Sequence, residues 1–320
     1  MQKNSSKKEH NQEKNEKTSE KKNKKIKELL KDFYIKEYKK LFLILVVLII
    51  FSIFTLISTY REVGDFTRKD VSLKGGISIS INKYNNYNIK DIEQYLSEKF
   101  PKSSINIRTI ESGGQIKGII IEASDVEKDS LINEIETKIG KLNPDQYSVE
   151  TMGSSLGESF FKQMFVALAI AFLGMSLVFH LYFKNYYATF AAILSAFLDL
   201  FITLGIMNFL QIRLTAGGIA AYLMLIGYSV DTSILLSTKV LKEKSKDLKG
   251  IFEAMKTGLT MSAAGLAAMG LSFLLTNNEA LKQIMLILVV GLFMDIITTW
   301  IGNVTFLRIY LERKNKTKTD

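Results

Sequence analysis

Cysteine is absent from the chain, which excludes disulfides, thiolate–zinc sites and cysteine nucleophiles. Histidine occurs only at His10 and His180, too sparse a supply for an imidazole metal cluster or for serine–histidine catalysis. Proline occurs twice, at Pro101 and Pro144, and each stands after a helical pattern. No G-x-x-x-x-G-K-[ST] pattern is present, so this chain is not expected to hydrolyse ATP. No enzymatic activity, cofactor or metal is expected. Lysine and arginine, abundant elsewhere, are missing from the depth of every long apolar run.

Those runs dominate what is present. A stretch of about twenty apolar residues crosses the ~30 Å hydrocarbon core as a helix, and six such stretches are read at 41–58, 160–181, 187–208, 217–237, 257–276 and 283–307. The expected fold is a membrane all-α bundle of six transmembrane helices, with a small α+β domain between the first two. The parts are a tail at 1–40, a first transmembrane helix at 41–60, the inserted domain at 61–157, a five-helix remainder at 158–308 and a tail at 309–320. Basic residues cluster on one side: fourteen lie in 1–40 and six in 238–256, whereas the two short loops on the other side hold only Arg213 and Lys282. By the positive-inside rule both termini are cytoplasmic and the inserted domain is extracytoplasmic. The first run comes after a long charged segment, and no small-x-small cleavage pattern comes after it, so it reads as a retained signal anchor. The 1–40 tail, rich in Lys, Glu and Asn, lacks the apolar content for a core. Its distal part is expected to be disordered, a solvated topogenic tail, the alternative being attraction to anionic lipid or ribosomal RNA; no nucleic-acid partner is expected.

The segment 61–157 alternates two periods. Ile77, Ile79 and Ile81 alternate with polar residues as in a half-buried strand, and Ile89, Ile92, Leu96 and Phe100 come next at helical spacing. Ile105 and Ile107 resume the alternation, Gly113 and Gly114 turn into a strand at 118–121, and Val126, Leu131, Ile135 and Ile139 mark a second helix before a last strand at 147–152. The order βαββαβ is that of a ferredoxin-like unit. With no phosphate loop or carboxylate pair, it reads as a contact surface. Gly75 and Gly76 precede the first strand as a turn of positive φ or as a point of close backbone approach to a neighbouring helix or subunit.

Three spans carry one aspartate each: Asp199, Asp231 and Asp295. An ionised group at the bilayer centre costs at least ~2.5–3.5 kcal/mol. Desolvation raises a carboxylate's pKa, which makes proton exchange near neutral pH possible. The three are candidate proton-relay groups, the alternative being neutral acids that hydrogen-bond between helices. Counted from the cytoplasmic ends, Asp231 lies six residues in and the other two twelve, depths of about 9 and 18 Å that suggest a ladder. Candidate packing and hydrogen-bonding residues are Tyr228, Ser229 and Thr232 beside Asp231, and Gly258, Thr260 and Ser262 in the fifth span. There the spacings Gly258-xxx-Ser262, Ala263-xxx-Ala267 and Ala264-xxx-Ala268 invite close helix contact.

Four stretches resemble SecF of the Sec protein-export machinery, a member of the resistance–nodulation–division class: 152–158 (MGSSLGE), 197–205 (FLDLFITLG), 227–236 (GYSVDTSILL) and 256–262 (KTGLTMS). The likeness covers about residues 70–310. Bacterial SecF reads Gly-Tyr-Ser-x-Asn-Asp where this chain has Asp231 followed by Thr232, which is similar to the Val-Asp register of SecD and to archaeal SecF. Asp295 shares the archaeal look. The resemblance implies an auxiliary export subunit that acts with a SecD-like partner beside the Sec translocon channel, with a translocating polypeptide and membrane lipid as further contacts. Rival readings are a small-molecule or lipid exporter of the same class and a non-conducting scaffold.

Overall fold

The computed structural model describes residue 34 and residues 37–82, 88–101, 103, 105–112, 115–124, 126–242, 248–276 and 278–316. Most of the 1–40 tail, together with Gly113, Gly114 and residues 317–320, lies outside them.

Helix α1 runs over Tyr38–Val63, and a short helix α2 over Val71–Lys74 leads into the inserted domain. Strand β1 (Gly76–Ile81) buries its isoleucines and turns its serines the other way, as a period of two requires. Helix α3 (Ile89–Lys99), strands β2 (Ile105–Ser112) and β3 (Gln115–Ala123), helix α4 (Lys128–Ile139) and strand β4 (Tyr147–Met152) complete it. The strands are all antiparallel in the order β2-β3-β1-β4, the sheet of a ferredoxin-like unit. Ile79 stands opposite Ile121 on one side and Val149 on the other. Together with Ile92, Leu96, Leu131 and Ile135 these side chains make an aliphatic core under the two helices. The third strand is longer than the 118–121 read from its apolar run, because it pairs with β2 from Ser112↔Gln115 onward.

Gly75 and Gly76 have φ of +84° and +130°. A Cβ on Gly76 would stand 2.5 Å from the Ala123 carbonyl oxygen, and one on Gly157 would stand 2.8 Å from the Gly75 nitrogen. Turn and close approach therefore coincide here, and the approaching backbone belongs to the same chain.

Five further helices complete the membrane part: α5 (Ser154–Phe183), α6 (Tyr186–Phe209), α7 (Ala216–Ser237), α8 (Leu248–Leu275) and α9 (Glu279–Ile297). Helix α7 ends in a π turn, Thr238–Lys242, and α9 passes through another, Thr298–Asn303, into α10 (Val304–Lys316). Six spans are long and apolar enough to cross a membrane. The last, Leu281–Glu312, outruns the expected 283–307 because the helix continues through the π turn, so part of the expected 309–320 tail is helical.

Burial separates the spans. In an apolar stretch of the α6, α7 and last spans about half of the residues are buried (56, 50 and 50%), against 11% in α5 and 17% in α8. Helices α6, α7 and α9 are the interior of the bundle. Contact is close where glycine permits it. A Cβ on Gly205 of α6 would come within 2.6 Å of Ser52 on α1, and Gly291 of α9 lies against Leu225 of α7. Asn185, Thr215 and Asn278 cap α6, α7 and α9 with side-chain oxygens.

Candidate functional site: a buried polar seam

Where α6, α7 and α9 meet, the interior turns polar. Asp199, Thr203, Ser229, Thr232, Ser233, Asp295, Thr298, Thr299 and Asn303 are all buried. Thr232 Oγ1 of α7 lies 3.0 Å from Oδ2 and 3.3 Å from Oδ1 of Asp295 across the helix interface, its single proton being shared among these oxygens and the Ser229 and Tyr228 carbonyls at 3.0 and 3.3 Å. Thr299 donates to Oδ1 at 3.0 Å from one turn further along the same span. Ser229 is buried one turn before Thr232, and its hydroxyl has no hydrogen-bond partner among the described residues. Further along the chain, Asn303 Nδ2 donates to Ser233 Oγ at 3.1 Å, a second link between α7 and the last span.

Thr298, Thr299 and Asn303 belong to the π turn that begins three residues after Asp295. One inserted residue rotates the remainder of the helix by about 100°. Thr298, Thr299, Trp300, Gly302 and Asn303 of this turn are all buried. Single π turns of this kind recur at functional sites.

Asp199 differs from Asp295. Its side chain is fully buried, and neither carboxylate oxygen accepts a hydrogen bond from any described residue. Its backbone carbonyl is taken by Thr203 Oγ1 at 2.7 Å, and Ser195 Oγ, one turn earlier, is likewise buried without a partner among the described residues. Asp199 on α6 and Asp295 on α9 are both buried in helices that pack against each other. The seam thus holds one carboxyl group anchored by hydroxyls and one with no fixed donor. Burial of an ion without a counterpart is costly. Among the described residues there is no cluster of three or more metal-ligating side chains.

Two of the three expected carboxylates are therefore brought together, and the third is not. Asp231 is exposed on the outer face of α7, in a stripe with Ala220, Met224 and Gly227. The reading that all three spans bury their aspartate is corrected at this position. Thr232 occupies the inward direction, and its neighbour is turned by about 100° away from it. The depths also change: counted from the ends of the observed spans, Asp231 lies ten residues in, Asp199 thirteen and Asp295 seventeen.

In the fifth span, Gly258 lies directly under the Trp300 ring, where a Cβ would collide with it, and Ser262 is buried. Thr260 does not bond across a helix interface: it is exposed and donates to the Lys256 carbonyl of its own helix at 2.8 Å. Tyr228 is half-buried against the bundle core. The sequence reading passed over Thr298, Thr299, Asn303, Thr203, Ser233 and Ser195. The visible signal was the polar run TTWIGN shortly after Asp295.

The family described as "Protein export membrane protein SecD/SecF, C-terminal" matches residues 132–313. The protein-export membrane protein SecF of Methanocaldococcus jannaschii is 34% identical over 285 residues, covering 87% of this chain and 97% of that one. SecF of Pyrococcus furiosus is 30% identical over 282 residues, covering 86% and 92%. Among solved structures, SecDF of Thermus thermophilus, a translocon-associated membrane protein, aligns with a TM-score of 0.73 at 16% identity, over 87% of this chain and 38% of that longer one. That likeness is one of fold. With the family match over more than half its length and full-length archaeal relatives, the chain belongs to the SecF family of protein-export membrane proteins.

Proposed function

We propose that the chain is an auxiliary subunit of the Sec protein-export machinery that pairs with a SecD-like subunit and couples proton movement to export through the seam between α6, α7 and α9. The observation that carries the coupling is the contrast between Asp295, held by Thr232 and Thr299, and Asp199, which no described donor holds. Proton gain or loss at the pair changes which hydroxyls the carboxyls accept from, and hence how α7 sits on α9. The asymmetry of lysine and arginine supports a cytoplasmic location of both termini in the plasma membrane, with the sheet domain outside. There it would meet the emerging polypeptide beside the translocon.

Asp231 takes a different role in this reading. It stands with Gly227 and Met224 on the outer face of α7, and the exposed alanines Ala263, Ala264, Ala267 and Ala268 line α8. An acid on a lipid-facing helix is costly, and small residues favour helix contact. This combination supports a second membrane half seated over α7 and α8, with Asp231 at the joint.

Asp199→Asn and Asp295→Asn, expressed at normal level and still paired with the SecD-like subunit, are expected to reduce export to the level of a strain lacking the protein. Export by both variants that still follows the proton gradient as in the parent ends the coupling proposal. Depletion of the protein is expected to impair secreted proteins and leave small-molecule efflux unchanged; the reverse outcome would identify an exporter.

A further inference from the structure

Glu122 lies on the face of β3 opposite the aliphatic core and is 2% exposed. It accepts from two guanidinium groups on different parts of the molecule. Arg108 reaches it from β2, and Arg213 reaches it from the short loop between α6 and α7. Arg108 also stands 3.5 Å from Asp70, in the segment ahead of β1. Among the described residues, these three are the charged groups that face Glu122.

Arg213 is itself built into the ends of two helices. Its backbone carbonyl accepts from the Gln283 side chain at the start of α9, and Gln283 in turn accepts from Thr215, the cap of α7. The same loop is tied to the segment ahead of the sheet: Leu214 N donates to Arg68 O at 2.6 Å, and Asp70 N donates to Leu214 O at 2.9 Å. Arg68 and Asn208 make further bonds between the segment and the end of α6. Lys69 sits 3.8 Å over the Phe161 ring of α5. Helices α7 and α9 are those whose other halves carry Thr232 and Asp295. We infer that Glu122 is a positioning residue: its carboxyl group latches the sheet domain onto the α7–α9 pair, and opening this contact frees the domain to move relative to the membrane helices.

The chemistry of the contact makes it responsive to pH. Burial, and a hydrogen bond to the Asp70 carboxyl group, push Glu122 up to about 7 against the pull of Arg108 and Arg213. Released to solvent, the same group would lose its proton near 4.5. Latching therefore takes up a proton. The closed state is favoured fully below the lower value and loses that advantage as pH rises through the higher one. The protonated acid still offers a carbonyl oxygen to an arginine.

The absence of native cysteine allows a clean distance measurement. Thr137→Cys on α4 and Leu281→Cys at the start of α9 are both exposed sites. Spin labels are attached to the full chain in liposomes, and distance distributions are recorded from acid to alkaline pH. The parent is expected to give a narrow distribution that broadens around pH 7. Glu122→Gln, a neutral mimic of the protonated group, is expected to stay narrow at every pH. Arg213→Glu is expected to be broad throughout, and Arg213→Lys to hold the narrow form. A narrow Arg213→Glu distribution, or a pH response that survives in Glu122→Gln, overturns the inference. The inference does not rest on the relay: export by Asp199→Asn and Asp295→Asn that still follows the proton gradient counts against the relay alone, and a narrow Arg213→Glu distribution counts against the latch alone.

Discussion

The two cores of this molecule obey opposite rules. Under the sheet, Ile77, Ile79, Ile81, Ile119, Ile121, Leu96 and Leu131 pack with no ionisable side chain among them. Between α6, α7 and α9, two carboxyl groups and a set of hydroxyls and amides are buried together, several of them without a partner among the described residues. Aliphatic packing is satisfied in a single arrangement. Buried polar groups with unused bonding capacity are instead satisfied in more than one way. In the proposed reading the first core keeps the domain as one piece, and the second is where helices would re-sort. Glu122 belongs to neither: it joins the outer face of the sheet to the Arg213 loop between α6 and α7.

Substitutions sharpen the contrast in order of size. Leu96→Ala in the fully buried sheet core is expected to cost about 2–5 kcal/mol, read as early loss of the domain in limited proteolysis or denaturant titration of the full chain. A cost near zero would mean that the sheet core is as adaptable as the bundle. Gly258→Ala forces the Trp300 ring to shift, with an overpacking cost of about 1–3 kcal/mol, measured as a lowered thermal midpoint in detergent. Thr232→Val keeps the shape but removes a donor from Asp295. It is expected to cost about 1 kcal/mol and to affect export more than stability. Equal loss in the two assays would place this residue with the rigid core. Thr260→Ala on the exposed face of α8 is expected to fall within about 0.5 kcal/mol of the parent, which checks that α8 tolerates change away from Gly258 and Ser262.

Much of this was legible beforehand. The alternation at Ile77, Ile79 and Ile81 and the spacing of Ile92 and Leu96 identified the sheet and its first helix, since half-buried elements write their period into the chain. The span read at 187–208 differs by one residue at each end from Tyr186–Phe209. Asp199 and Asp295 were singled out by being acids in apolar runs. Glu122 was not, because an acid at the end of a strand looks like any solvated residue until Arg213 is brought to it. Arg213 left only a faint trace, as the lone cation of its loop.

Local order along the chain was enough to determine six apolar spans, the βαββαβ unit between the first two, and the candidates among which the site would be found. Tertiary structure decided that Asp231 faces outward while Thr232 faces in, that Thr299 shares a carboxylate with Thr232, and that one glutamate joins the sheet to two helix ends. The reason is rotational. A helix apolar all round carries no periodicity to say which side is inside, so its facing is settled only by the neighbours that pack against it.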